Sequence, residues 1–178
     1  MYRTMLVLLS TALLFGCGPK RLAVDDIAKE KKAVESVLVN FWKAYEMKDA
    51  AAMDKLLSPS SGLMFFGTDS AEVIKSIAQW EVQKKDDMQL FEAFKAGELR
   101  NVSSQIDSYG ELASTVCEIP VDMTVGGQLS HSLARFAVTM KNENGEWHII
   151  QGMVAFATMG QSSAELVAKM KESKQEKK

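Results

Sequence analysis

The sequence predicts an α+β fold in which helices cover one face of a strongly bent antiparallel sheet. Before Gly97 the apolar residues recur mainly at helical spacing, whereas after it they alternate and are divided by turn signals. The apolar run 63–66 is followed at once by side chains that cap helices. A buried strand that turns into an amphipathic helix must be covered, so we expect the other elements to pack around this stretch.

The composition is that of one globular domain with a substantial core. Of the 178 residues, 47% are hydrophobic and 25% are charged, and the formal net charge is −2. This charge gives no electrostatic case for a nucleic-acid partner. We predict no cofactor and no metal site, because His131 and His148 lie on different predicted strands and no acidic cluster accompanies them.

The first sixteen residues resemble a bacterial lipoprotein signal peptide, which we assign to 1–16. Arg3 precedes an apolar segment over 5–15, too short to cross a bilayer of about 30 Å as a helix. The segment ends in Leu-Phe-Gly before Cys17, as in a lipobox, so we predict that Cys17 is lipidated. An ordinary cleaved signal peptide is the alternative.

Lipidation of Cys17 would attach the mature chain to the lipid bilayer through a tether over 17–24. Cys117 would then have no intrachain disulfide partner. A glycine after the lipidated cysteine resembles the outer-membrane class of Gram-negative lipoproteins. We therefore expect a cell-envelope location, on the periplasmic side of the outer membrane if the host is Gram-negative.

Helical spacing predicts two N-terminal helices. The first begins at Asp25 and runs to about Lys48, with acidic residues at its N-terminus. Asp49 then caps a second helix over 50–57, which ends before Pro59. The apolar face of the first helix comprises Ile27, Val34, Val37, Leu38, Phe41, Trp42 and Tyr45.

The central stretch predicts a strand over 63–66 that is buried on both faces and then a third helix. Asp69 and Glu72 have the spacing of a capping box, so we interpret them as helix caps rather than catalytic carboxylates. The apolar stripe of the helix would comprise Val73, Ile74, Ile77 and Trp80. The polar segment 83–87 interrupts this pattern, and 88–94 suggests another short helix or turn that ends at Gly97.

After Gly97 we predict four strands, over 98–107, 112–125, 128–141 and 146–158. Gly126-Gly127 and Asn144-Gly145 mark hairpin turns. Pro120 indicates a bulge or an edge position. The domain is thus assigned to 25–160, and a C-terminal helix with a charged tail to 161–178.

The order of these elements resembles the SnoaL-like branch of the nuclear transport factor 2-like superfamily. The matching pieces are VNFWKAYEMKDAAAMDKLLS, MFFGTDSAEVIKS and LARFAVTMKNENGEW followed by HIIQ, spanning roughly 34–157. The resemblance implies a cone-shaped, cystatin-like fold, with a curved antiparallel sheet wrapped around N-terminal helices and a pocket at the wide end. It also implies a homodimer formed through the open sheet face.

Members of this superfamily include isomerases, dehydratases, polyketide cyclases and proteins that only bind or associate, so the fold does not decide the function. Related sequences often carry a histidine and a serine near the positions of Met153 and Ala155. Neither of these residues can transfer a proton, which argues against an acid–base enzyme.

Five aromatic residues are candidates for the wall of a ligand pocket, because such pockets are mostly apolar. Trp42 and Tyr45 are the best of them, since each has a polar tip that needs a partner or water. The alternative for every ring is a place in the core. The five are Trp42, Tyr45, Phe65, Trp80 and Phe94.

Arg135 and Met153 complete the pocket candidates. Arg135 lies between apolar neighbours in a predicted strand, so it needs an anion if it is buried. It could clamp a ligand carboxylate, pair with Asp122 or Glu118, or be exposed. Cys117 is better explained as a small core residue than as a nucleophile.

We therefore predict a lipid-anchored envelope protein whose domain binds a small apolar ligand or associates with a protein. One alternative is an isomerase- or cyclase-type enzyme in which Tyr45 and Arg135 polarise a carbonyl and Asp107 or Asp122 acts as the base. Another is a purely structural envelope protein that uses the sheet face as its interface.

Overall fold

The structure is a computed structural model that describes residues 21–60, 62–158 and 162–175. The predicted signal peptide and the lipidation at Cys17 lie outside these residues. The elements in chain order are α1 (Val24–Glu46), α2 (Ala50–Asp54), β1 (Met64–Phe66), β2 (Val73–Ile74), α3 (Ile77–Leu90), β3 (Ala93–Ala96), β4 (Arg100–Ile106), β5 (Leu112–Val125), β6 (Gln128–Glu143), β7 (Glu146–Phe156) and α4 (Ser163–Gln175).

The strands form one sheet in the order β2-β1-β7-β6-β5-β3, and β4 also pairs with β5. The pairing of β1 with β7 is parallel, with Phe65 opposite Gly152. The other strand pairs are antiparallel. The sheet is therefore mixed, and the purely antiparallel sheet expected from the sequence is wrong at this one pair.

The first helix packs on the inner face of the sheet, as its helical apolar spacing requires. Phe41 and Trp42 are buried in the core with Phe136 of β6. Near the other end, the indole nitrogen of Trp147 on β7 donates a 2.7 Å hydrogen bond to Glu30 of α1. The sheet thus holds α1 at both ends.

The central stretch differs from the sequence prediction. Phe65 is buried, but Phe66 is 44% exposed, so β1 is covered on only one face. Residues 67–72 form a turn to the short strand β2, and α3 begins only after Ser76, whose hydroxyl accepts the backbone N–H of Gln79. The segment 83–87, expected to break the helix, lies inside α3.

The strands after Gly97 follow the predicted order, and β5 has the predicted bounds. Pro120 lies in β5, where the partner strand changes from β4 to β3. Its carbonyl accepts a 2.8 Å hydrogen bond from the N–H of Gly97. In a strand, the backbone N and O of one residue point to the same side. The nitrogen of Pro120, which carries no hydrogen, therefore points to the side of β5 on which β4 is replaced by β3.

The final helix, α4, is exposed along the part whose side chains are described. Among the described residues, no helix has both the length and the apolar character needed to cross a bilayer.

Candidate functional site

A cavity of about 280 Å³ lies between α1, α3 and the inner face of the sheet. Its wall is rich in aromatic residues, because successive turns of α1 and inward-facing positions of the strands point rings at the same space. The aromatic lining residues are Phe41, Trp42, Tyr45, Phe65, Trp80, Phe91, Phe94, Phe136 and Phe156.

Ring-to-ring contacts fix the shape of this wall. Phe41 stacks on Phe136 and Trp42 stacks on Phe94, each pair with ring centroids 5.8 Å apart. Tyr45 meets Phe94 edge to face at 4.9 Å. Such contacts restrict the side-chain rotamers, so the cavity is bounded by rigid surfaces.

One part of the wall is polar and is built by α3 and the turn before β2. The hydroxyl of Tyr45 donates a 2.7 Å hydrogen bond to Oδ2 of Asp87. The amide nitrogen of Gln83 donates to Oδ1 of Asp87 at 2.8 Å and to Oε1 of Glu72 at 3.3 Å. Gln83 and Asp87 are four residues apart on α3, so they share the face that carries Trp80.

Burial and hydrogen bonding act on the pKa of Asp87 in opposite directions. Burial raises the pKa of the Asp87 carboxyl, the nearby Glu72 adds to the rise, and the hydrogen bonds from Tyr45 and Gln83 oppose it. Burial, reinforced by Asp87, also raises the pKa of the Tyr45 hydroxyl. Tyr45 therefore stays protonated as a donor, while the Asp87 carboxyl holds its proton to higher pH than an exposed carboxyl does.

Glu72 both lines the cavity and closes the turn. Its Oε2 accepts the backbone N–H of Thr68 at 2.6 Å and of Asp69 at 3.1 Å. A Cβ on Gly67 would lie 2.6 Å from Cβ of Glu72, an atom that cannot swing away, so only glycine fits beneath the folded-back side chain. Glu72 accepts backbone N–H groups, as predicted for a cap. The prediction that it caps a helix is wrong, because these N–H groups belong to a turn between β1 and β2.

The indole nitrogen of Trp42 is a further polar group in the aromatic wall. Trp42 is 8% exposed, and its Nε1 has no hydrogen-bond partner within the part of the chain that the structure describes. A buried N–H without an acceptor is costly, and such groups in a native structure need an explanation.

The structure divides the predicted pocket residues into two groups. Arg135 and Met153 lie on the opposite, outer face of the sheet. Arg135 is exposed and donates to Oε1 of Glu118 at 3.1 Å, so it forms the predicted ion pair and cannot clamp a ligand in this cavity. Those that line the cavity are Trp42, Tyr45, Phe65, Trp80 and Phe94.

The two aspartates suggested as bases are also elsewhere. Asp122 pairs with His131 at 2.7 Å at an exposed place. Asp107 accepts the backbone N–H groups of Glu111 and Leu112, so it closes the β4–β5 turn. Of the alternative acid–base set suggested by the sequence, only Tyr45 lines the cavity, and Arg135 and the two aspartates do not.

Two further titratable side chains, Cys117 and His148, lie outside the cavity. Cys117 is buried, and burial raises the pKa of its thiol to about 11, as suits a core residue. His148 lies on β7, and its side chain is only 14% exposed. No group of three or more His, Cys, Asp or Glu in the described ranges has the arrangement of a metal site.

Sequence reasoning missed Gln83 and Asp87, because they fall in the polar segment that was interpreted as a break. The signal was present: Trp80, Gln83 and Asp87 are spaced by three and four residues, which places them on one helical face. A polar residue in line with a buried tryptophan is a candidate for the polar part of a pocket.

Comparison with a sequence model of the SnoaL-like domain gives a match over residues 34–159. This range contains every residue that lines the cavity. No curated protein matches the chain in sequence.

Solved structures share the fold at low identity. One is a candidate dehydratase of the nuclear transport factor 2-like family from Streptomyces avermitilis, with 13% identity, 74% of this chain and 99% of that chain covered, and a TM-score of 0.67. Another is a candidate scytalone dehydratase from Novosphingobium aromaticivorans, with 9% identity, 76% and 89% coverage and a TM-score of 0.67. A nuclear transport factor 2-like protein from Salmonella enterica serovar Typhimurium has 14% identity, 76% and 97% coverage and a TM-score of 0.63. The predicted fold class is thus confirmed.

Proposed function

The chain belongs to the SnoaL-like family, and on that basis we propose that it binds a small organic molecule in the aromatic cavity. The observation that carries the proposal is a space of about 280 Å³ with aromatic walls and a polar part that includes Asp87 with its donor Tyr45. This combination is typical of a ligand site, in which apolar walls supply affinity and a few polar groups orient the ligand.

A matched pair of substitutions on β7 tests the proposal. Val154 lines the cavity. The side chain of the preceding residue, Met153, points to the other side of the sheet and lies on the outer face. Val154→Phe should fill the space, and Met153→Phe should leave it open. Thermal-shift screening against apolar compounds that carry a hydroxyl, carbonyl, amine or carboxylate should find compounds that stabilise the wild type and Met153→Phe but not Val154→Phe. A screen in which no compound distinguishes the two variants would contradict the proposal.

A proton-transfer enzyme is the second candidate function. Asp87 favours it, because its carboxyl lies in the cavity with a raised pKa and a tyrosine donor beside it. The structural relatives described as candidate dehydratases also support it. Here Asp87 would be the base and Tyr45 the donor that polarises a carbonyl, replacing the set predicted from the sequence.

Solvent exchange tests this second candidate directly. Cyclic ketones incubated in deuterium oxide should lose their α-proton NMR signals faster with the wild type than with Asp87→Asn, while Asp122→Asn should behave as the wild type. Equal rates for the wild type and Asp87→Asn across the ketone panel would leave the protein as a binding module.

We further propose that the mature protein is anchored to a membrane of the cell envelope through acylated Cys17. The signal-peptide pattern that ends at Cys17 supports this. Expression of the full chain in a Gram-negative host should place it in the membrane fraction, with a mass increase from acylation. Cys17→Ser should abolish that increase, and an unmodified wild-type protein in the soluble fraction would contradict it.

A homodimer through the outer sheet face is the remaining proposal about assembly. Val116 and Met153 on this face are 49% and 47% exposed, which is unusual for large apolar side chains near the middle of a sheet. Light scattering should give twice the monomer mass, and Val116→Lys should lower it to one copy. Val82→Lys, at an exposed apolar position of α3 away from the sheet, is the control. A monomeric wild type at tens of micromolar would exclude this dimer.

A further inference from the structure

The charges that line the cavity are all of one sign. Glu72 and Asp87 contribute two carboxyl groups, and no lysine, arginine or histidine of the described residues lines the space. The donors to these carboxyls are the neutral side chains of Tyr45 and Gln83 and neutral backbone N–H groups. Neutral donors stabilise a carboxylate but leave its negative charge uncompensated.

Lys48, which follows α1, and Lys84, on α3, have partners elsewhere. Lys48 donates to the backbone carbonyls of Met88 and Phe91 at the end of α3, at 2.9 and 2.5 Å. Lys84 is buried on α3, where it pairs with Asp54 at 2.5 Å and with Glu81 at 3.0 Å. Neither ammonium group therefore neutralises the carboxyls of the cavity.

Aromatic rings surround the acidic part of the wall. Tyr45, whose hydroxyl touches Asp87, packs against Phe91 and Phe94 with ring centroids 6.3 and 4.9 Å away. Trp42 stacks on Phe94 from the other side. The faces of such rings carry negative potential and attract cations, most strongly where water is excluded.

A neutral ligand would leave this site with desolvated acidic groups and no counter-charge, which costs free energy. An anion would be repelled by both carboxyls. A cation on an apolar body would satisfy both parts of the wall, because its charge would face the carboxyls and rings while its body fills the aromatic space.

We propose that the cavity selects an organic cation, an ammonium group carried on a small apolar or aromatic body. This inference rests on the proposed binding function and specifies its ligand class. Asp87 and Glu72 provide the counter-charge, and the rings of Trp42, Tyr45 and Phe94 hold the ammonium and the body attached to it.

Three probes of similar size that differ in charge test the proposal. Phenyltrimethylammonium, its uncharged isostere tert-butylbenzene and the anion benzoate are titrated into the wild-type protein and followed by two-dimensional amide NMR. We expect the cation to bind about tenfold more tightly than the isostere, and benzoate more weakly than either. Added salt should weaken the binding of the cation and leave the affinity for the uncharged isostere unchanged.

Isosteric variants assign the preference to the cavity. Asp87→Asn should reduce the preference for the cation over the isostere to about threefold or less, while affinity for tert-butylbenzene is retained. Glu118→Gln, on the outer face, should keep the full preference. Glu72→Gln is a second test of the charge, and circular dichroism establishes that each variant is folded.

The outcomes separate this inference from the general binding function. If tert-butylbenzene or benzoate binds as tightly as the cation, the cationic ligand class is wrong but the cavity is still a binding site. The same conclusion follows if Asp87→Asn keeps the full preference. If no probe binds, the cation inference is overturned, and the Val154→Phe screen decides on the binding function independently.

Discussion

The hydroxyl of Tyr45 on α1 donates a 2.7 Å hydrogen bond to Oδ2 of Asp87 on α3, joining two helices across 42 residues of sequence. The bond stabilises the ionised form of Asp87 against burial, which favours the neutral form. It also fixes the carboxyl in the wall of the cavity. Tyr45 and Asp87 therefore act as one unit, and the titration of one depends on the other.

Removing the hydroxyl should change Asp87 in a measurable direction. In Tyr45→Phe we expect the pKa of Asp87 to rise further, because a hydrogen bond that favours the charged form is lost. Carbon NMR of the carboxyl during a pH titration measures this. Stability should fall by about 1 kcal/mol, the usual net value of one hydrogen bond. Tyr109→Phe, which alters an exposed tyrosine, should change neither quantity, and an unshifted Asp87 in Tyr45→Phe would show that the bond is absent in solution.

The raised pKa of Asp87 has a defined effect on stability. The native state holds the proton more tightly than the unfolded chain, so the stability that Asp87 contributes is full below its ordinary pKa of 3.8 and is lost as pH rises through the native value. Asp87→Asn removes this loss. We expect the variant to gain stability relative to the wild type between pH 4 and pH 8, measured by urea unfolding. A constant difference across that range would contradict the assignment.

Glu143 has the opposite shift and should matter in acid. Hydrogen bonds from Ser60 and then Ser58, with Lys141 nearby, lower the pKa of Glu143 to about 2. The stability it contributes is therefore full above its ordinary pKa of 4.5 and is lost as pH falls to about 2. Glu143→Gln should destabilise the protein at pH 6 but not at pH 2. Glu146→Gln, on an exposed neighbouring carboxyl, is the control.

The parallel pairing of β1 with β7 requires glycine at one position. A Cβ on Gly152 would lie 2.3 Å from the ring of Phe65, which lies directly over the β7 backbone. Gly152→Ala should force the ring into the cavity and cost about 1–3 kcal/mol, as overpacking does. Gly62→Ala meets nothing within 4 Å and should be close to neutral. Unfolding midpoints of the two variants give the comparison, and equal midpoints would contradict the close packing.

The strands after Gly97 could be predicted because each is long and is bounded by an unambiguous turn. Gly126-Gly127 and Asn144-Gly145 adopt the positive φ angles that such turns need. The strands β2 and β3 have two and four residues, too few to show a period of two. Asp69 and Glu72 fit a capping box in sequence, but the helix they seemed to start begins after Ser76.

The candidate site was predictable in its aromatic part and not in its polar part. Helical spacing was enough to place a ring such as Trp42 on the apolar face of its helix, and this face forms part of the cavity wall. Asp87 becomes a pocket residue only through its distance to Tyr45, a contact between residues 42 positions apart. Arg135 was misplaced because strand parity defines two faces without telling which one is covered.

The short strand β3 is an edge of the sheet that can open on its own. This strand is joined to β5 through four residue pairs, and the neighbouring strand β4 pairs with a separate part of β5 beyond the proline. Local unfolding of β3 would therefore leave the β4–β5 ladder intact. Because Phe94 on β3 forms part of the cavity wall, such an opening would expose that part of the wall, and deuterium exchange at the amides of β3 would measure how often it occurs.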